Sequence, residues 1–116
     1  MNEASILQRI RLDLGREPSV RLFRNNTGAF RDATGRIVRF GLHPGSADLI
    51  GWRSIVITPD DVGRTLAVLA SIEVKLPAGQ PRHDQLQWAS AVSAAGGFAG
   101  IARSTHDARV ILGLPT

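Results

Sequence analysis

The spacing of apolar residues along the chain predicts an alternation of short helices and strands. From about Glu3 to Leu14, Ile6, Leu7, Ile10 and Leu14 recur at the three- and four-residue intervals of one helix face, and Gly15 offers a stop. Glu3 falls at the start of that face, pointing inward; the alternative is that it only complements the helix dipole in the first turn. Val20 to Asn25 predicts a strand, Asn26-Thr27-Gly28 and Asp32-Ala33-Thr34-Gly35 predict turns, and Arg36 to Phe40 alternates as a second strand. A loop from Gly41 to Gly45 leads to a short strand, Ala47 to Gly51, that carries Asp48. Ser54 to Thr58 predicts a further strand, and Pro59 to Gly63 a turn or short 3₁₀ connection. The apolar run from about Thr65 to Leu76 is read as a strand forming a hairpin with Ile55-Val56-Ile57. Within it Ile72, Val74 and Leu76 face one side of a sheet, and Glu73 and Lys75 the other.

After the loop Pro77 to Pro81, a helix runs from about His83 to Ala95, with Gln85, Trp88, Ala89 and Val92 on one face and Gly96-Gly97 as its stop. Phe98 to Ala102 predicts a strand, and Ser104 caps a last helix that runs through Leu112 to Gly113. Strand, helix and strand between residues 72 and 102 form a βαβ unit, which implies a parallel pair and a right-handed connection. The expected fold is one α/β domain over residues 1–116, with a central mixed sheet flanked by helices.

Composition adds three constraints. A chain of 116 residues with 43% apolar and 21% charged residues is ordinary for a globular domain. The absence of cysteine excludes disulfides and thiolate zinc sites and suits a reducing compartment. The N-terminus, with Glu3 and a mixed helix, does not read as a signal peptide, and no apolar run reaches the roughly 18 residues of a membrane span. A cytoplasmic setting is therefore expected. The net charge of +4 and pI near 11.3 come from arginine, since Lys75 is the sole lysine. Arg21, Arg24, Arg31, Arg36 and Arg39 crowd into twenty residues. They could follow a phosphate backbone, or simply keep a solvated sheet edge soluble.

The candidate chemistry lies in the polar residues assigned to inward faces: Glu3, Asp48, Glu73, Lys75 and Gln85. Asp48 also has a plainer reading as a turn aspartate capping local amides after Pro44-Gly45. Carboxylates directed at one point repel unless protonated or bound to a cation. Oxygen ligands without cysteine suit Mg²⁺ or Mn²⁺, which can polarise a phosphodiester and activate a water, with a lysine beside them.

These residues resemble a known family. Asp48 followed by Glu73-Val74-Lys75 is similar to the D…(D/E)-x-K core of the PD-(D/E)XK nuclease superfamily, and the finer pattern resembles its VRR-Nuc family. Glu3, Arg24-Asn25-Asn26-Thr27-Gly28, Phe40-Gly41, Gly45-Ser46-Ala47-Asp48-Leu49, Ile72-Glu73-Val74-Lys75 and Gln85-Leu86-Gln87-Trp88 run in family order over nearly the whole chain. The one departure is Ala47, where the superfamily's name places proline. The resemblance implies a restriction-endonuclease-like core and a virus-type homodimer that cuts branched DNA, like a Holliday junction resolvase.

It implies Asp48 and Glu73 as metal carboxylates and the Val74 carbonyl as a third ligand. Lys75 would act on the attacking water, Glu3 would reach the metal through water, and Gln85 would hold Lys75 or that water. Trp88 would pack beneath Gln85, while His43, His83 and His106 stay outside the chemistry. Arg24, Asn26, Arg31, Arg36 and Arg39 are the candidate DNA contacts. Two other functions remain open: a nuclease without junction preference, and a DNA-binding module that keeps the fold without the activity.

Overall fold

A computed structural model of the chain describes residues 2–116. They form three α-helices and six strands, arranged as a mixed α/β structure. Two compact units divide at Arg53–Ser54, and each is taken by itself.

The N-terminal unit begins with α1, Glu3–Leu14, whose N-cap Asn2 accepts the Ser5 N–H at 2.9 Å. This satisfies one of the helix's orphan amides. α1 packs on β1, Val20–Arg24. Leu7 and Leu14 are half-buried, whereas Ile6 and Ile10 stay exposed, so only part of the expected apolar face is covered. β1 pairs antiparallel with β4, Leu49–Arg53, in the register Val20↔Arg53 to Arg24↔Leu49. The Phe23 and Trp52 rings lie 5.6 Å apart in this unit. Between these partners the chain inserts a hairpin of β2, Gly28–Arg31, and β3, Ile37–Phe40. The expected turn at residues 32–35 joins them. The Asp32 carboxylate there accepts the Thr34 N–H, the Thr34 hydroxyl and the Arg36 N–H at 2.7–3.0 Å.

The C-terminal unit holds the predicted βαβ element. β5, Ala70–Val74, and β6, Phe98–Ala102, pair in parallel, and α2, His83–Ala94, connects them. α3, Thr105–Ile111, packs on β6, with Ser104 as its N-cap accepting the Asp107 N–H at 3.0 Å. Val92 of α2 and Ala102 of β6 are the fully buried apolar residues, at 0% and 3% exposure. Val92 lies against Gly97, directly before β6, where a Cβ would meet it at 2.7 Å, whereas Ala102 shares its strand face with Gly100, which lies against Ile111 of α3.

The strand expected at Ser54 to Thr58 and its hairpin with residues 65–76 do not form. Pro59 begins a 3₁₀ turn, and the Asp61 carboxylate draws back the Thr58 N–H at 2.9 Å, so the chain turns off immediately after Thr58. Residues 65–69 lie outside any strand, and Val56 and Ile57 are 87% and 63% exposed. That hairpin was part of the single mixed sheet expected from the sequence. Without it, the described strands form three two-stranded sheets, β1–β4, β2–β3 and β5–β6, in place of one mixed sheet. On β5 the side expected to point inward is the more covered one, with Glu73 and Lys75 half-buried. Val74 and Leu76 are 75% and 79% exposed, because the ladder to β6 ends at Val74↔Ala102 and the chain then enters the Pro77 loop.

Candidate functional site: the Glu73–Lys75–Gln85 cluster

Glu73 lies in mid-strand, in register with Ile101 of β6. Lys75 follows two residues on, so strand pleating puts both side chains on the same side. Its backbone N–H extends the ladder by one bond, to the Ala102 carbonyl at 3.0 Å. The Lys75 Nζ stands 3.8 Å from Glu73 Oε1. That distance is an ion pair without a hydrogen bond, and by itself it contributes at most about 1 kcal/mol. The lysine side chain is the more covered partner, at 20% exposure against 40% for the glutamate.

Gln85 makes the cluster more than a strand-borne ion pair. It sits in the first turn of α2, where its Oε1 accepts the Arg82 N–H at 2.9 Å. Its Nε2 donates to Glu73 Oε1 at 2.7 Å. One amide therefore caps the helix and fixes a carboxylate oxygen. Only one orientation of the amide satisfies both partners, with the oxygen toward the backbone donor and the nitrogen toward the carboxylate. Gln85 thus holds Glu73, where the sequence expectation had it holding Lys75 or a water.

A groove of about 350 Å³ opens beside this cluster, with Ser71, Glu73, Arg82, Gln85 and Trp88 among its walls. The Trp88 Nε1–H donates to Ser71 Oγ at 2.7 Å and ties α2 to β5 a second time. Expected as packing beneath Gln85, Trp88 is 41% exposed and borders the groove instead. At the rim the Arg82 guanidinium donates to Asp84 at 3.1 Å, which holds the Asp84 carboxyl below its ordinary value.

Asp48 and Glu3 belong to the N-terminal unit. Asp48 is exposed and stands directly before β4, its carbonyl accepting the Asn25 N–H at 2.8 Å. Its carboxylate makes no hydrogen bond among the described residues, so the local-capping alternative finds no support. Glu3 is exposed rather than directed inward: it is the first residue of α1, beyond the half-buried Leu7 and Leu14. Among the described residues no three His, Cys, Asp or Glu side chains are grouped as metal ligands. In the C-terminal unit Glu73 and the Val74 carbonyl are oxygen donors of the kind a hard cation takes, but one carboxylate is too few for a complete site. On their own these donors do not make up a Mg²⁺ or Mn²⁺ site.

The candidate DNA contacts Arg24, Asn26, Arg31, Arg36 and Arg39 are all exposed. His43, His83 and His106 are exposed too, with a His43 ring nitrogen 2.8 Å from the Pro44 carbonyl. One residue with a clear positioning role received none from the sequence. The Asn25 Nδ2 donates to Ser46 Oγ at 2.7 Å and to the Ala47 carbonyl at 2.9 Å, anchoring the loop that delivers Asp48. Its place at a strand end, just before a turn, was the available signal. No family model, curated protein or solved structure matches the chain.

Proposed function

We propose that this chain is a metal-dependent endodeoxyribonuclease with a PD-(D/E)XK-type core of VRR-Nuc character, acting on branched DNA as a homodimer. The observation that carries the reading is the shared oxygen of Glu73. It accepts from the helix-capping amide of Gln85 at 2.7 Å and faces the Lys75 ammonium at 3.8 Å. A solubilising ion pair needs no helix-borne amide to aim its carboxylate. A catalytic acid does, since a ligand or base must be held within tenths of an ångström of its working position.

In this reading Glu73 and the Val74 carbonyl would be oxygen donors for Mg²⁺ or Mn²⁺, with Asp48 the further carboxylate that the family resemblance implies. When bound, the cation supplies Lewis-acid polarisation of the scissile phosphate. The chain's own residues do the rest. Gln85 fixes the rotamer of Glu73, and Lys75 orients the attacking water and stabilises the charge that develops on the phosphate. Asn25 holds the Ser46–Ala47 segment so that Asp48 keeps one position. Glu3 contributes through water. Two such sites on a two-fold dimer suit the symmetric cuts that a four-way junction requires.

A cleavage panel tests the proposal: four-way junction, flap, linear duplex and single strand, each with Mg²⁺, Mn²⁺ or EDTA, beside a sizing measurement. The expected result is metal-dependent cutting strongest on the junction, by a dimer. Equal cutting of linear duplex would retain the nuclease and remove the junction preference. Binding to branched DNA with no cutting under either metal would replace the enzyme by a DNA-binding module.

A further inference from the structure

The β2–β3 hairpin leaves the β1–β4 ladder at the end where Asp48 stands. Arg24 pairs with Leu49 there, and the next residue, Asn25, donates its N–H to the Asp48 carbonyl. The same asparagine closes the base of the hairpin. Its Oδ1 accepts the Leu42 N–H at 3.3 Å while its Nδ2 holds Ser46 and Ala47. Gly41 turns the returning leg with φ +85°, and a Cβ there would lie 2.6–2.7 Å from Thr27 and the Asn26 carbonyl. Both legs are thus fixed against the loop that presents Asp48.

Strand register sorts the hairpin into two unlike faces. Gly28 lies opposite Phe40 and Phe30 opposite Val38, so this face is apolar. The Phe30 and Phe40 rings are 6.4 Å apart, and Phe40 covers Gly28 so closely that a Cβ there would meet the ring at 2.5 Å. A lone two-stranded ribbon is marginal in water. The aromatic pair and the Asp32-centred turn supply what holds it together. On the other face Ala29 lies opposite Arg39 and Arg31 opposite Ile37. The two arginines are diagonal neighbours, about 7–8 Å apart at their backbones. The Arg31 guanidinium donates to the Gly35 carbonyl at 3.0 Å, whereas the Arg39 side chain has no hydrogen bond or ion pair among the described residues. The hairpin's single acid, Asp32, is committed to the turn.

We propose that β2–β3 is an arm that lies along duplex DNA flanking the cut, with Arg31 and Arg39 on successive phosphates and the aromatic face serving only to hold the ribbon. Charge complementarity selects the occupant: the arginine face carries no acid, and guanidinium pairs with phosphate through two parallel hydrogen bonds. A two-stranded antiparallel ribbon also matches the roughly 12 Å width of a duplex major groove. The proposal rests on the nuclease reading only for placing the arm beside a cut. Its test omits metal so that the two can fail separately.

Fluorescence anisotropy with a short linear duplex in EDTA, titrated between about 50 and 200 mM salt, reads the number of phosphate contacts. The slope of log affinity against log salt should fall by about one for Arg39→Ala and about two for Arg31→Ala with Arg39→Ala. Arg39→Lys keeps the charge and should keep the slope, which separates charge loss from a disturbed hairpin. Arg11→Ala on the exposed face of α1 should also leave it unchanged. An unchanged slope in the double variant would overturn the arm, whatever the protein does with Mg²⁺. An equal loss on single-stranded DNA would overturn its placement along a duplex. A reduced slope in a protein that never cuts would support the arm while the nuclease reading fails.

Discussion

Replacing Gln85 by leucine removes two hydrogen bonds at once and keeps the side-chain volume close. The lost bond to the Arg82 N–H is half of a helix N-terminal capping interaction, worth about 0.5–1 kcal/mol. The lost bond to Glu73 Oε1, at 2.7 Å, involves a charged acceptor and is worth about 1.5–3 kcal/mol when shielded. The Glu73 side chain is 40% exposed, so water replaces part of that bond and the lower end applies. The two together predict a loss of about 2 kcal/mol in urea unfolding followed by circular dichroism. Cleavage should fall further than stability does: releasing a residue that orients a metal ligand costs about 10- to 100-fold.

Gln85→Glu separates the two effects. Its carboxylate can still accept from Arg82, so most of the cap survives. It also sets a second negative charge against Glu73 where the amide donated a hydrogen bond, so cleavage should fall while most of the stability is kept. A Gln85→Leu protein that unfolds at the wild-type urea midpoint and cuts at the wild-type rate would refute the assignment of Gln85 to Glu73.

Further expectations follow from the same geometry. Lys75→Arg keeps the charge but should abolish most cleavage in a single-turnover assay, because a planar guanidinium does not replace a compact ammonium; normal cutting would remove Lys75 from the mechanism. Trp88→Phe loses the 2.7 Å bond to Ser71 and should cost about 1 kcal/mol in urea unfolding, with a wild-type midpoint counting against that tie between α2 and β5. Asp32 has its pKa lowered from 3.8, chiefly by the Thr34 hydroxyl and also by backbone amides. Its folded value lies below its unfolded one, so its contribution is present above pH 3.8 and is lost as pH falls through the lowered value. Amide chemical shifts of Thr34 and Arg36 should therefore hold steady through pH 4 and move only at more acidic values. Movement centred above 3.8 would contradict this.

The βαβ unit was legible because its signals are independent of one another. A Gly-Gly stop ends α2, a polar cap begins α3, and Phe98 to Ala102 is too short for a helix of its own. The apolar run at residues 66–69 misled because periodicity does not distinguish a strand from other extended chain when every residue is apolar. β2 escaped notice because Gly28-Ala29-Phe30-Arg31 has weak strand propensity and is held mainly by its partner, with Phe40 covering Gly28.

At the site, spacing alone put Glu73 and Lys75 on one side of a strand, and α2 did bring Gln85 to them. Which of the two Gln85 would hold was not legible, since that depends on the capping bond that turns its amide. Glu3 was misjudged for a related reason. A helix's first residue shares the phase of its apolar face, yet the packing on β1 leaves it exposed.

The central claim is that the carboxylate of Glu73 serves metal-dependent phosphodiester cleavage. Single-turnover cutting of a four-way junction by the wild-type protein and by Glu73→Ala, with junction binding measured in parallel, addresses it directly. The account predicts cutting by the wild type in Mg²⁺ or Mn²⁺ and none in EDTA, and a variant that binds the junction as tightly as the wild type without cutting it. A Glu73→Ala protein that cuts at an undiminished rate would contradict it.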